Sequence, residues 1–294
     1  MPRKFPLHFR KAGTVNTHYA LIGMATVVDG VPLYYDAANE HGLAMAGLNF
    51  PDNAHYYNPC DGKDNICQFE LIPWILGRCK NLAEARALLE KTNIVNISFN
   101  ESLPVTPLHW MVADKSGSVV IEAMSDGMHI HQNPIGVLTN NPPFEYHLFN
   151  LNNFRHLSAK NGKNTFSDTI SLDQYSNGLG AIGMPGDVSS MSRFIRAAFN
   201  KENSACEGDQ AACVSQFFHL LSSVEVCRGA CITPSGGYNL TLYSSCINTD
   251  KGIYCYTTYS NRQITRIDMH KTDLNSHKIS RYPLVLTEQF NNQN

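Results

Sequence analysis

The sequence predicts an α+β fold, because its strand-like and helix-like stretches come in separate runs. Apolar patterns along the chain give the order strands, two helices, strands, helices and strands. Segregated runs of this kind favour a layered α+β domain over a wound sheet of alternating strands and helices. No internal repeat and no linker-like composition interrupts the chain, so residues 1–294 are predicted to form a single domain.

The first run of strands lies in the stretch HYALIGMATVVDGVPLYYD. It is rich in β-forming residues and is broken at Asp29 and Gly30, which predicts a strand, a turn and a second strand. GLAMAGLNF follows as a further buried strand. Apolar residues at helical spacing then predict one helix in CQFELIPWILGRCK and another in NLAEARALLEKT, with Asn81 as N-cap.

The second half of the chain continues this segregated order. LHWMVADKSGSVVIEAM predicts two strands joined by a turn, continued by strands in GMHIHQN and GVLTN. Residues 150–187 are rich in Asn, Ser and Gly, which predicts a long surface excursion. SRFIRAAFN and QAACVSQFFHLLSSVE have helical periodicity, and YNLTLYSSCINTDKGIYCYTTYSNRQITRIDMH alternates as strands.

Composition and motifs exclude several classes of function. The formal net charge is −2 and the basic residues are scattered, which argues against a nucleic-acid or membrane-binding surface. The nine cysteines form no regular framework, so we expect reduced thiols. Neither the Cys227 and Cys231 pair nor the His129 and His131 pair has a matching second pair, and phosphate-loop and zinc-protease motifs are absent, so no metal or cofactor is predicted.

Three short polar segments interrupt apolar runs: MAGLNFP with Asn49, GVLTNNPPFEYH with Asn140, and GMPGDVSSMSRFIRAAF with Arg193. Each asparagine ends a predicted strand shortly before proline, a residue that holds its predecessor extended. A side-chain amide on such a rigid mount can point at a developing negative charge. Ordinary turn chemistry explains asparagine before proline equally well, and on spacing alone it is the simpler explanation.

Five segments together resemble the choloylglycine hydrolase family, which comprises bile salt hydrolases and penicillin V acylases. They are MAGLNFP, LHWMVAD, GVLTNNPPFEYHL, GMPGDVSSMSRFIRAAF and LYSSCINTDKGIYCYTTYSNRQI, in family order through almost the whole chain. The resemblance implies a four-layer αββα sandwich of the N-terminal-nucleophile hydrolase type. It also implies cleavage of linear carbon–nitrogen amide bonds by a cytoplasmic enzyme that assembles as a homotetramer in its full-length form.

The family's mechanism gives these polar positions roles. Its nucleophile is a cysteine made N-terminal by removal of the initiator methionine, and the freed α-amine is the base for the adjacent thiol. By resemblance, Asn49 and Asn140 build the oxyanion hole through a backbone N–H and a side-chain amide. Arg193 matches an arginine beside the nucleophile, where a fixed positive charge favours thiolate over thiol.

The opening segment departs from the family pattern. Position 2 is Pro rather than Cys, and Cys60 is the first cysteine of the chain. PRKF resembles the segment that follows the family's first two strands, which carry the nucleophile. We therefore expect the chain as given to lack this strand pair, about thirty residues with its turns, and to be inactive.

Asn49 also helps to choose a branch of the family. Bile salt hydrolases tend to carry asparagine there and penicillin V acylases tyrosine, which implies glycine- or taurine-conjugated bile acids as substrates. VVDGVP and NISFNESLP resemble the loops that shape the steroid groove, with Val28, Phe99 and Leu103 as wall residues. A penicillin V acylase-type amidase is the alternative within the family. A non-catalytic bile-acid-binding protein or a decayed family member is the alternative of another class.

Overall fold

The computed structural model describes residues Met1–Asn294, which fall into two units. The first unit comprises Met1–Asn141 and Thr241–Asn294, and the second comprises Pro142–Leu240. The strands all belong to the first unit and are β1 (Leu7–Phe9), β2 (Gly13–Val15), β3 (Leu21–Val28), β4 (Val31–Asn39), β5 (Ala44–Asn49), β6 (Asp64–Cys67), β7 (Thr92–Val95), β8 (Leu108–Asp114), β9 (Gly117–Met124), β10 (Gly127–Gln132), β11 (Tyr243–Asn248), β12 (Ile253–Thr258) and β13 (Asn261–Asp268). The helices are α1 (Leu71–Leu76) and α2 (Leu82–Leu89) in the first unit, and α3 (Phe144–Asn150), α4 (Ser190–Asn203) and α5 (Gln210–Ser222) in the second.

Six strands form the largest sheet, in the order β10-β9-β8-β5-β4-β3, with every neighbouring pair antiparallel. The predicted turn between β3 and β4 is confirmed, because Asp29 and Gly30 both have positive φ, at 50° and 81°. Two such residues make the tight turn that fits a twisted hairpin. Asp36 of β4 lies opposite Ala46 of β5. The end of β5 therefore lies at the same end of the sheet as the β3–β4 turn.

The apolar core lies against this sheet and is completed by α1. Every residue of α1 is buried, and the side chains of Trp74 on α1 and Trp110 on β8 are almost fully buried. Phe9 packs edge-on against Trp74, with 5.0 Å between the ring centroids. Since burying one large apolar side chain contributes about 1.5–3 kcal/mol, the core holds the helix and the sheet together. The second predicted helix is also confirmed, with the Asn81 side chain accepting from the N–H of Glu84 at 2.9 Å.

Two short strand pairs were not predicted from the sequence. β1 and β2 form a hairpin near the start of the chain. β6 precedes α1 and α2 in the chain and β7 follows them, and these two strands pair in parallel. Each of these strands has only three or four residues. A segment that short is too brief to show an alternating pattern.

A smaller antiparallel sheet, in the order β11-β12-β13, contacts the large sheet through one carboxylate. Asp36 of β4 accepts hydrogen bonds from the hydroxyls of Tyr243 and Tyr254, both at 2.7 Å, and of Ser245 at 3.2 Å. Burial raises the pKa of the Asp36 carboxyl, although these hydroxyl donors oppose the shift. The predicted C-terminal strands are thus confirmed, and they are joined to β4 by polar contacts.

The segment after β10 differs from the prediction. GVLTN was expected to form a strand, but Gly136–Asn140 belong to no strand. The buried Asn133 accounts for the difference, because its side chain accepts from the N–H of Gly136 at 2.8 Å and donates to the carbonyl of Val137 at 3.1 Å. Gly136 also has a φ of 65°, which a strand does not accommodate.

The second unit contains the predicted helices and the predicted irregular excursion. Within residues 150–187 only short 3₁₀ turns form. Phe194 of α4 packs against α3, where it contacts the rings of Phe144 and His147. The prediction of reduced thiols is wrong at one place, because Cys206 and Cys213 form a disulfide. They lie seven positions apart across the start of α5, a closeness that cysteine spacing alone did not reveal. None of the helices combines the length and apolar character needed to cross a membrane.

Candidate active site

The end of β5 presents the backbone N–H of Asn49 outside the sheet's hydrogen-bond ladder. Phe50 donates its N–H to the carbonyl of Pro107 at 2.9 Å, on the side of β5 that faces β8. N–H groups alternate sides along a strand, so the N–H of Asn49 points to the other side. There the pairing with β4 has already ended at Ala46. The last residue of β5 therefore offers a backbone donor directed away from its paired neighbour.

The side-chain amide of Asn140 lies directly on this strand end. Its Nδ2 donates to the backbone carbonyl of Asn49 at 2.8 Å. The next residue repeats the pattern, because Asn141 Nδ2 donates to the carbonyl of Pro51 at 2.6 Å. Two consecutive asparagines thus attach the segment after β10 to the end of β5. The structure brings together the two asparagines that the sequence singled out.

Tyr56 holds the partner strand of Asn49 in place and was not identified from the sequence. Leu108, opposite Asn49 on β8, donates its N–H to the Tyr56 hydroxyl at 2.7 Å. That hydroxyl lies 3.0 Å from the carbonyl of Thr106, to which it donates. Burial raises the pKa of Tyr56, so the phenol keeps its proton and its donor role. A tyrosine in a loop gives no sequence pattern by which this contact could have been found.

Arg193 lies on α4 in the second unit. Ser189 caps the helix, and the Arg193 Nε donates to the carbonyl of Val188 at 3.0 Å. Burial and the neighbouring Arg196 guanidinium lower the pKa of Arg193 below its usual range. The group is a half-buried cation whose orientation is fixed by its own helix start.

A cavity of about 600 Å³ opens at the β3–β4 turn, the same end of the sheet as Asn49. Phe99 lines this cavity together with apolar residues from the start of β4, from the 3₁₀ turn before α1 and from α1 itself, which include Val31, Pro32, Phe69 and Pro73. Of the three predicted wall residues, Phe99 alone is part of the lining. Val28 is half-buried just before the turn, and Leu103 is 36% exposed and exchanges backbone hydrogen bonds with Asn100.

Four thiols of the first unit are held in their protonated form. Burial raises the pKa of Cys67 to about 12, with Glu70 adding to the shift, and raises that of Cys79 to about 11. Burial likewise raises the pKa of Cys246 to about 11 and that of Cys255 above its usual value. A thiol with a raised pKa is a poor nucleophile near neutral pH, because the thiolate is the reactive form.

Residues 1–282 match the model of the linear amide C–N hydrolases, choloylglycine hydrolase family. The chain is 50% identical over 289 residues to a bile salt hydrolase/transferase of Lactiplantibacillus plantarum, covering 98% of this chain and 89% of that protein. It is 38% identical over 282 residues to a bile salt hydrolase/transferase of Clostridium perfringens, covering 95% of this chain and 86% of that protein.

Solved structures agree with these sequence matches. A conjugated bile acid hydrolase variant from Clostridium perfringens superposes with a TM-score of 0.92 at 37% identity, covering all of this chain and 90% of that one. Penicillin V acylase from Agrobacterium tumefaciens superposes with a TM-score of 0.71 at 22% identity, over 95% of this chain and 79% of that one, and shows likeness of fold alone. The predicted mixed α and β fold is confirmed. The chain belongs to the choloylglycine hydrolase family of linear amide C–N hydrolases.

Proposed function

We propose that this chain is the body of an enzyme that hydrolyses the amide bond of glycine- or taurine-conjugated bile salts. The observation that carries the proposal is the contact between the Asn140 side-chain amide and the end of β5, beside the outward-pointing N–H of Asn49. A backbone N–H and a side-chain amide are the kinds of donor that stabilise the oxyanion of an amide hydrolysis. The names of the similar bacterial hydrolases supply the substrate class.

In the proposed reaction a cysteine thiolate attacks the amide carbonyl carbon, and the carbonyl oxygen becomes the oxyanion. The N–H of Asn49 and the amide of Asn140 donate to that oxygen. Collapse of the tetrahedral intermediate breaks the carbon–nitrogen bond, and glycine or taurine leaves with the proton that the thiol gave to the base. Water then attacks the thioester, releases the free bile acid and regenerates the thiol. The positive charge of Arg193 is assigned the role of lowering the pKa of that thiol.

The nucleophilic cysteine is assigned to a strand pair outside residues 1–294. Support comes from the thiols of the first unit, since four of them have raised pKa values. Cys60, the remaining one, is exposed in the loop before β6. None of the five is the α-amine-bearing cysteine that the mechanism needs. The 294-residue chain by itself is then inactive, and a bile-acid-binding role is the second candidate for it.

The proposal includes the assembly and the architecture typical of the family. Two antiparallel sheets joined at Asp36 support the inner layers of a four-layer αββα sandwich of the N-terminal-nucleophile type. Large side chains in the excursion are strongly exposed, with Phe166 at 80% and Tyr175 at 83%, and they support a homotetramer in the full-length form. A cytoplasmic location is part of the same proposal. Disulfides such as Cys206–Cys213 are rare in reducing compartments, so fractionation of the producing cells is the experiment that tests this location.

The experiment that tests the function uses a restored enzyme, in which a family-like strand pair beginning Met-Cys is joined to Met1. We expect this protein to release glycine or taurine from glycocholate and taurocholate, and to hydrolyse penicillin V less efficiently. Preference for penicillin V would favour the penicillin V acylase alternative. Binding of cholate conjugates by the 294-residue chain without turnover by the restored enzyme would favour the non-catalytic role.

A further inference from the structure

A fully buried histidine lies behind the two asparagines. His109 on β8 and Glu122 on β9 are both 0% exposed, and His109 Nδ1 lies 2.9 Å from Glu122 Oε1. The other ring nitrogen, Nε2, lies 2.8 Å from the backbone carbonyl of Thr139. Both nitrogens of the ring therefore face oxygen atoms that accept hydrogen bonds. The ring is thus held at both nitrogens, by a side chain of β9 on one edge and by the segment after β10 on the other.

The carboxylate beside His109 also lies close to a second histidine. The second carboxylate oxygen of Glu122 lies 3.6 Å from Nε2 of His131, on the neighbouring strand β10. Trp110 of β8 pairs with Ile121 of β9, so the next position along this register places His109 opposite Glu122. Polar groups buried in a sheet are tolerated when they are paired and hydrogen-bonded in this way. His109 and Glu122 together form a buried polar pair across two neighbouring strands of the sheet.

Two contacts of this ring lead to residues next to the asparagines. Thr139, which accepts from Nε2, immediately precedes Asn140. Phe50, which immediately follows Asn49, stacks face to face on the imidazole, with 4.3 Å between centroids and 5° between planes. The ring thus fixes the segment after β10 and the end of β5 relative to each other.

We propose that His109, held by Glu122, is a positioning residue that sets the separation of the Asn49 N–H and the Asn140 side-chain amide. The inference rests on the proposed amide hydrolysis. It adds to that function a residue that touches neither substrate nor nucleophile. Precise placement matters for such donors, since a misplacement of about 1 Å can lower a rate by about 10²-fold.

The matched control is His18, a second buried histidine of the same unit. Its Nδ1 and Nε2 also face backbone carbonyls, those of Tyr19 and Phe5, at 2.6 Å and 2.8 Å. His18 precedes the start of β3, and Leu21 there pairs with Asn39, at the opposite end of the sheet from Asn49. His18→Phe and His109→Phe therefore remove the same type of buried group at two ends of one sheet.

The first measurement does not depend on catalysis. In the 294-residue chain, NMR of labelled Asn140 reports the shift and solvent exchange of its side-chain NH₂. We expect His109→Phe to shift these protons and speed their exchange, and His18→Phe to leave them unchanged. An unchanged Asn140 signal in a folded His109→Phe variant would overturn the inference, whatever the substrate of the enzyme proves to be.

The second measurement uses the restored enzyme. We expect His109→Phe to lower kcat by about 10²-fold with KM within about twofold, while His18→Phe keeps the parent kcat. Glu122→Gln is the milder variant, since it keeps the shape and an acceptor for Nδ1, and it should lower kcat by about tenfold. Equal kcat in all three folded variants would overturn the positioning role. A parent enzyme without turnover would count against the proposed function instead, and the NMR measurement would then decide the inference.

Discussion

The side-chain amide of Asn140 donates to the backbone carbonyl of Asn49 across 91 positions of the sequence, at 2.8 Å. This bond joins two segments that are otherwise irregular where they meet, the end of β5 and the stretch after β10. It gives the candidate site a fixed separation between a backbone donor and a side-chain donor.

The first prediction concerns the two asparagines in the restored enzyme. Asn140→Ala removes a side-chain donor to the oxyanion and should lower kcat by about 10²–10³-fold with little change in KM. Asn49→Ala should cost less, because its backbone N–H survives the substitution. Asn141→Ala is the control, since it removes the neighbouring hydrogen bond to the Pro51 carbonyl but keeps the side-chain donor of Asn140. Steady-state kinetics with glycocholate measures all three. Equal and small effects would mean that both asparagines are turn residues.

The second prediction concerns the 294-residue chain itself. We expect no hydrolysis of glycocholate or penicillin V, because its buried thiols keep their protons at neutral pH and none of its cysteines carries the free α-amine that the proposed mechanism needs. Product release is measured against the restored enzyme as the active reference. Turnover by the purified chain that disappears after thiol alkylation would show that one of its own cysteines acts as nucleophile.

The third prediction concerns the cavity at the β3–β4 turn. Phe99 lines the cavity, so Phe99→Ala in the restored enzyme should raise KM for conjugated bile salts by about tenfold, equivalent to about 1.4 kcal/mol, with a smaller effect on kcat. Leu103→Ala is the matched comparison, because Leu103 lies outside the lining and should change KM little. The reverse order of effects would mean that the steroid binds elsewhere.

The fourth prediction concerns the pH dependence of stability at Asp36. Burial raises the pKa of this carboxyl in the folded protein, so its favourable contribution is present below the ordinary value of about 3.9 and is lost as pH rises through the raised value. Asp36→Asn should therefore gain in Tm relative to the parent as pH rises from about 3.5 to 7. Asp29→Asn, at the exposed turn of the same hairpin, is the comparison variant for the same type of substitution. Thermal melts across this range would contradict the prediction if the Asp36→Asn advantage stayed flat.

The fifth prediction concerns assembly. Phe166 and Tyr175 are the most exposed aromatic residues of the excursion, and in the proposed homotetramer they are covered by neighbouring subunits. Replacing both with Ser should reduce the mass of the restored enzyme, measured by light scattering after size exclusion, from that of a tetramer. Tyr282→Ser, at an exposed site near the C-terminus, should leave the mass unchanged. A tetramer that persists in the double variant would place the interface elsewhere.

Much of the fold could be predicted because its large strands carry strong local patterns. β3, β4, β8 and β9 each have seven to nine residues, and the turn at Asp29 and Gly30 has its own sequence signal. The irregular path at Gly136 could not be predicted, since it depends on hydrogen bonds from the Asn133 side chain. The parallel pairing of β6 and β7 could not be predicted either, because α1 and α2 separate the two strands in the chain.

The candidate site was predictable only in part for a related reason. Asn49 and Asn140 lie in recognisable family segments, and the structure places them in contact. His109 stands in the segment LHWMVAD, where a histidine within a strand is unremarkable until its partners on β9 and after β10 are known. The sequence does not reveal the role of Tyr56 either, because that role depends on a hydrogen bond from the backbone of β8. The spacing of neighbouring residues in the sequence does not identify residues that act through contacts with distant parts of the chain.

The outward-pointing N–H at the end of β5 has a consequence for how substrate preference can change. The donor belongs to the peptide backbone, so any residue except proline supplies it at position 49. In the proposed mechanism the side chain there is then available to be selected for the shape of the substrate without loss of the hydrogen bond to the oxyanion. In this arrangement one residue serves two separable purposes, and a single substitution at Asn49 is a route by which one amidase can acquire a new substrate while keeping its chemistry.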